Sequence, residues 1–163
     1  MTKQTISFCK DILEKYFRDR ELKFTPRKWK RPDRIVYKGG FSGFGAPYDS
    51  FDQVIILDDK SVQTIIYLPA YATNNKAAIA ELITRINYQL KFGHFEMDFD
   101  DGEIRFHFAQ NTAIFSSKDA GDAIEDQIFL PPSMMKRYAS GFVDVLQGNH
   151  SPEEALTRII TAT

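Results

Sequence analysis

The sequence predicts an α+β protein: a twisted antiparallel sheet of about five strands with helices packed on it. Three patterns carry that expectation. Ile79, Leu82, Ile83, Ile86 and Leu90 recur at helical spacing and lay one apolar stripe along residues 76–91. Residues 94–99 and 103–108 alternate apolar and polar side chains around Asp101-Gly102, a strong hairpin signal. Residues 51–57 and 62–68 are rich in β-branched and aromatic side chains and flank Asp58-Asp59-Lys60-Ser61, a second turn.

The other elements follow in chain order. Ile6, Cys9, Ile12, Leu13 and Tyr16 predict an amphipathic helix over residues 4–17. A basic connector follows, with nine Lys and Arg against three acids between Arg18 and Lys38, and a short strand at 34–37. Gly39, Gly40, Gly43 and Gly45 then predict a flexible loop.

In the first hairpin a turn at Asp59-Lys60 pairs Leu57 with Val62, Ile55 with Thr64 and Phe51 with Leu68 on one face. Val54 with Ile65, and Asp52 with Tyr67, fall on the other. Both faces are largely apolar, so the hairpin belongs in the middle of the sheet, or has its second face covered by a subunit or ligand. Pro69 is expected to end its second strand. The 76–91 helix is capped by Asn74 or Asn75 and stopped by Gly93.

A two-residue turn at Asp101-Gly102 sets Phe95 against Phe108, Met97 against Phe106 and Phe99 against Ile104. It also sets Asp98 against Arg105 and Glu96 against His107, opposite-charge pairs on the outer face. A short helix is expected near 124–129. Pro131-Pro132-Ser133 introduces another, with Met134, Tyr138, Phe142, Val145 and Leu146 on one side and Gly148-Asn149 at its end. Ser151-Pro152-Glu153-Glu154 is a capping box that starts a last short helix. No linker or repeat divides the 163 residues, which read as one domain.

Composition narrows the function. The 21 basic and 22 acidic side chains balance, so no global charge draws the chain to nucleic acid or an anionic membrane. The lone cysteine, Cys9, excludes an internal disulfide and a thiolate cluster within one chain. The opening residues lack a leader's apolar run, and Val54 to Leu57 is too short to span a bilayer, so a cytoplasmic protein without membrane insertion is expected.

Catalytic and metal signatures are weak. His94 and His107 are expected at opposite ends of the hairpin's outer face, and His150 in a C-terminal turn. No histidine pair has ligand spacing on a helix. Glu96, Asp98, Asp100, Asp101 and Glu103 lack the loop spacing of a calcium hand. The glycine loop matches neither phosphate-binding pattern, and no serine lies in a G-x-S-x-G elbow. No catalytic residue, metal or cofactor is expected, and an enzyme is disfavoured. The segment Arg27, Lys28, Trp29, Lys30 and Arg31 places a stacking ring in a basic run, the pattern of a nucleic-acid patch. The favoured reading is a solvated connector with Trp29 tucked against the core.

Residues 82–107, LITRINYQLKFGHFEMDFDDGEIRFH, resemble the central motif of the YbjN family of bacterial sensory transduction regulators. The matching positions are Arg85, Asn87, Gly93, Phe95, Glu96, Asp98, Asp101, Gly102, Glu103 and Arg105. Tyr138, Gly148 and Ser151-Pro152-Glu153-Glu154-Ala155 add to the likeness, while the N-terminal third and residues 110–131 depart from it.

The resemblance implies a fold similar to type III secretion chaperones, often dimeric, with no catalytic residues to carry over. It leads to the expectation of a non-enzymatic protein-binding regulator or chaperone-like adaptor, acting as a homodimer. Asp52, Val54, Ile56, Ile65 and Tyr67 are then the candidate partner surface. The alternative is a nucleic-acid-associated regulator working through residues 27–31.

Overall fold

The computed structural model describes residues 3–162, with side chains from residue 6 onward. Its elements run α1 (Lys3–Asp19), β1 (Thr25–Arg27), β2 (Ile35–Ser42), β3 (Ser50–Leu57), β4 (Ser61–Tyr71), α2 (Lys76–Asn87), β5 (His94–Met97), β6 (Glu103–Asn111), α3 (Ala120–Leu146) and α4 (Pro152–Thr161), with a 3-10 turn at Thr112–Ser116. The strands form one antiparallel sheet in the order β1-β2-β3-β4-β6-β5. Among the described residues no helix is long and apolar enough to cross a membrane.

The α+β expectation holds, with six strands rather than about five. The hairpin β3–β4 lies in the middle of the sheet, and Leu57 pairs with Val62, Ile55 with Thr64 and Val54 with Ile65, as its pattern predicted. Asp58 shapes its turn by accepting bonds from the amides of Lys60 (2.9 Å) and Ser61 (2.8 Å). Burial alone would raise the Asp58 carboxyl, but these bonds and nearby Arg34 outweigh it and hold it below its ordinary 3.8. A lowered folded value means stability that is present above pH 3.8 and lost as pH falls through the folded value. Asp58→Asn should therefore flatten the acid limb of a urea-denaturation profile measured against pH; an unchanged limb would show that the turn contributes nothing there.

Apolar residues on one sheet face meet all four helices. In one cluster Cys9, Leu13 and Phe17 of α1 pack with Tyr37, Ile55, Leu57 and Val62 of the strands and with Ile124 and Ile128 of α3. Cys9 is thus a buried small side chain, and burial pushes its thiol up. In the other cluster Ile79, Leu82, Ile83 and Ile86 of α2, Phe142 and Tyr138 of α3 and Leu156 of α4 cover Ile66, Leu68, Phe95, Ile104, Phe106 and Phe108. The capping box at Ser151 and Glu154 starts α4 as expected.

Several local expectations are corrected. Gly39 and Gly40 belong to β2, not to a flexible loop. They sit where a Cβ would strike the Phe24 ring (2.6 Å) and the Phe51 carbonyl (2.5 Å). Pro69 does not end β4; the register shifts between Tyr67 and Tyr71, so the ring occupies an irregularity where its missing N–H costs no ladder bond. Helix α2 stops at Asn87, short of residue 91. Asn75 is its N-cap but makes no side-chain capping bond; its Nδ2 donates instead to the Val145 and Leu146 carbonyls at the end of α3.

The two helices expected on either side of Pro131-Pro132 are one helix, α3, which runs through both prolines. Pro132 has no N–H to offer the carbonyl four residues back. That carbonyl, on Ile128, instead accepts a 3.0 Å bond from Nε2 of Gln53, a fully buried side chain of β3. The sheet thus supplies a donor that the helix lacks.

The second hairpin is shifted by two residues. His94 pairs with His107, Phe95 with Phe106, Glu96 with Arg105 and Met97 with Ile104. The turn is a longer loop, closed by Gly102 N–H donating to Asp98 O at 2.7 Å. Gly102 has φ +84°, and a Cβ there would lie 2.2 Å from the Ala72 carbonyl oxygen. Its own carbonyl accepts from Ala72 N–H at 2.9 Å. Phe99, expected on the inner face, lies in the loop and is 62% exposed.

Candidate functional site

Among the described residues every helix packs on one face of the sheet, and none lies on the other. The register places its side chains in rows. Arg27, Val36, Ile56 and Gln63 form one row; Lys38, Val54, Ile65, His107 and His94 form the next; Asp52 on β3 and the paired residues Tyr67, Arg105 and Glu96 form a third. Val36, Ile56 and Ile65, with Val54 and Tyr67 beside them, make an apolar cluster separate from the two under the helices. Lys38 and Asp52 border it, 3.7 Å apart.

All five expected surface residues, Asp52, Val54, Ile56, Ile65 and Tyr67, therefore share this face. Sequence reasoning missed Val36, whose signal was the apolar pair Ile35-Val36 in a connector dominated by charge. The edges of the sheet are short: β1 has three residues with Pro26 in the middle, and β5 has four. Short edges, one of them with a central proline, disfavour strand addition.

The β5–β6 end of the face is polar. Glu96 lies at its centre: Arg105 Nε donates to its Oε1 at 2.6 Å, His94 Nε2 is 3.3 Å from Oε2, and His107 Nδ1 is 3.7 Å from Oε1. Burial would raise the Glu96 carboxyl, but the Arg105 bond and the neighbouring rings hold it below the usual carboxylate range. Burial, more than Glu96 offsets, pushes His107 below its ordinary 6.5. Burial also raises the Tyr67 hydroxyl, which shares a hydrogen bond with Arg105. His94 and His107, expected far apart, stand directly opposite each other because the loop is longer than two residues. Their alternation with Glu96 was legible; their pairing was not.

The motif residues serve mainly to hold the fold. Asn87 bonds the β5 backbone at two points, donating to Phe95 O (2.9 Å) and accepting from Phe95 N–H (2.8 Å). Arg85 reaches Glu81 at 2.7 Å and Glu153 of α4 at 3.8 Å. Gly93 has φ +67°, with the Phe106 ring 2.4 Å from where a Cβ would be. Asp98 and Asp101 each accept a 2.8 Å bond from the amide two residues on, shaping the loop. Glu103 lies 3.6 Å from Arg105.

Trp29 corrects another expectation. It does not tuck against the core but stands 52% exposed in the 28–34 connector, and Arg27, Lys28, Lys30 and Arg31 around it are exposed as well. No family model, curated protein or solved structure matches the chain.

Proposed function

We propose that the chain is a non-enzymatic, protein-binding regulator or chaperone-like adaptor of the YbjN type, and that it binds through the helix-free face of its sheet and forms a homodimer on it. The observation that carries this reading is the apolar cluster Val36, Val54, Ile56, Ile65 and Tyr67 on a face that no helix among the described residues covers. Val36, Ile56 and Ile65 are already buried by their neighbours on the sheet, so the surface a partner would cover is mainly that of the half-buried Val54 and Tyr67, at about 25 cal/mol per Å² of apolar area removed from water. Lys38 and Asp52 at the border carry opposite charges, which suits a face meeting its own copy.

Val54→Asp places a charge in the middle of the cluster without touching either helix-covered core. It should halve the mass seen in sedimentation velocity, or remove a co-purifying protein partner, while leaving the far-UV circular dichroism unchanged. A variant that keeps both its oligomer mass and its partner, with the fold intact, would rule this surface out.

A second reading is favoured by one observation, the exposure of Trp29 among four exposed basic side chains. That segment has the make-up of a single-strand stacking platform. Binding by that route would weaken steeply with salt, and neutralising Lys28, Lys30 and Arg31 would abolish it.

A further inference from the structure

The β5–β6 end of this face, next to the apolar cluster, gathers titratable side chains. His94 and Glu96 point to the same side of β5, and His107 stands opposite His94 on β6. One ligand atom from each of these three lies within 4.8 Å of the other two. The two rings are 5.2 Å apart at their centroids.

The neighbours orient this triad. Gln63 Nε2 donates to Ser61 Oγ at 2.9 Å, which turns the amide oxygen toward His107. That oxygen lies 3.2 Å from His107 Nε2, so the ring proton belongs on Nε2 and the lone pair on Nδ1. Nδ1 then faces the Glu96 carboxylate at 3.7 Å. A lone pair and a carboxylate at that separation are two donors that one cation can bridge, beside the Arg105 guanidinium that already compensates Oε1. Arg105 Nε occupies Glu96 Oε1 at 2.6 Å and leaves Oε2 facing His94.

We propose that His94 Nε2, Glu96 Oε2 and His107 Nδ1 bind one divalent transition-metal ion, with Zn²⁺ the best chemical match. Two imidazoles and one carboxylate suit Zn²⁺ rather than Mg²⁺ or Ca²⁺, which prefer all-oxygen sites. Metal–ligand distances of about 2.0–2.2 Å require the three atoms to close to roughly 3.3 Å from one another. The half-exposed His94, on the short edge strand, is free to make that rotation. Gln63 and Arg105 act on the metal through the ligands, Gln63 by setting the His107 tautomer and Arg105 by anchoring the carboxylate. Glu103, 3.6 Å from Arg105, offsets its charge. Three protein ligands leave the fourth position to water on the open face. The site does not depend on the partner-binding reading.

The test is isothermal titration of the metal-stripped full chain with ZnCl₂ alone, alongside the visible absorption of its Co²⁺ form. One ion per chain is expected, with the intense absorption of a tetrahedral site. His94→Gln and His107→Gln should each weaken Zn²⁺ by more than about tenfold, and Gln63→Ala by about 10- to 100-fold. His150→Gln, at the start of the α4 segment, should leave it unchanged. Circular dichroism confirms the fold of each variant. Absence of stoichiometric Zn²⁺ binding by the wild type, or binding that survives in folded His94→Gln and His107→Gln, would overturn the site.

Discussion

Phe95→Ala is expected to cost about 3–5 kcal/mol of stability, the range for deleting a fully buried ring. Phe95 is 1% exposed and touches three other rings: Phe106 at 5.0 Å, Phe142 at 5.1 Å and Tyr138 at 5.5 Å between centroids. Those rings belong to β6 and α3, so the substitution opens a cavity where hairpin and helix meet. At this chain length about 2–4 °C of melting temperature is lost per kcal/mol, which predicts a fall of roughly 6–20 °C in a calorimetric scan. Phe99→Ala, two turns of the alternation away, should stay within about 0.5 kcal/mol of wild type, because Phe99 is a loop residue. The pair therefore tests the register as well as the core. Under the two-residue turn expected from the sequence, both rings face inward and both substitutions are costly.

Gly102→Val should be comparably severe, at roughly 3 kcal/mol or more. Two independent causes combine there: a left-handed backbone that β-branched residues resist, and a Cβ position 2.2 Å from the Ala72 carbonyl oxygen. Relief requires the β5–β6 loop to leave the end of β4, breaking the Ala72 N–H to Gly102 O bond. Gly148 separates the causes. It also has a positive φ, +71°, but nothing lies within 4 Å of its Cβ position. Gly148→Ala should therefore cost only the backbone term, about 1 kcal/mol. Chemical denaturation of both variants checks this; equal losses would show that the close approach to Ala72 is unimportant.

The same glycine shows where sequence reasoning stopped. Asp101-Gly102 correctly marked a hairpin, and strict alternation correctly sorted Phe95, Met97, Ile104, Phe106 and Phe108 from Glu96, Arg105 and His107. A slip of two residues keeps every one of those side chains on its own face. The pattern thus could not distinguish a two-residue turn from a longer one, and only the longer one sets His94 against His107. The candidate metal triad was legible as three residues of one face and illegible as a cluster.

Other errors have the same form. Proline at 131 and 132 is a strong local stop for a helix, yet α3 continues because Gln53, far away in the chain, bonds the carbonyl that Pro132 leaves free. Gly39 and Gly40 look like loop residues, yet they are strand positions where Phe24 and the β3 backbone come too close for a Cβ.

What the sequence determined by itself was periodic and local: the α2 stripe, the two strand hairpins and their faces, the α4 capping box, and the apolar second face at Val54, Ile56 and Ile65. These follow from the 3.6- and 2-residue periods and from short-range turn and cap chemistry, which a window of a few residues contains. The tertiary structure alone decided the pairing of β6 with β4, the length of the β5–β6 loop, the unbroken α3, and the gathering of the described helices on one face of the sheet. Each of these depends on contacts between residues distant in sequence, and their packing energy exceeds the local preferences of the residues involved.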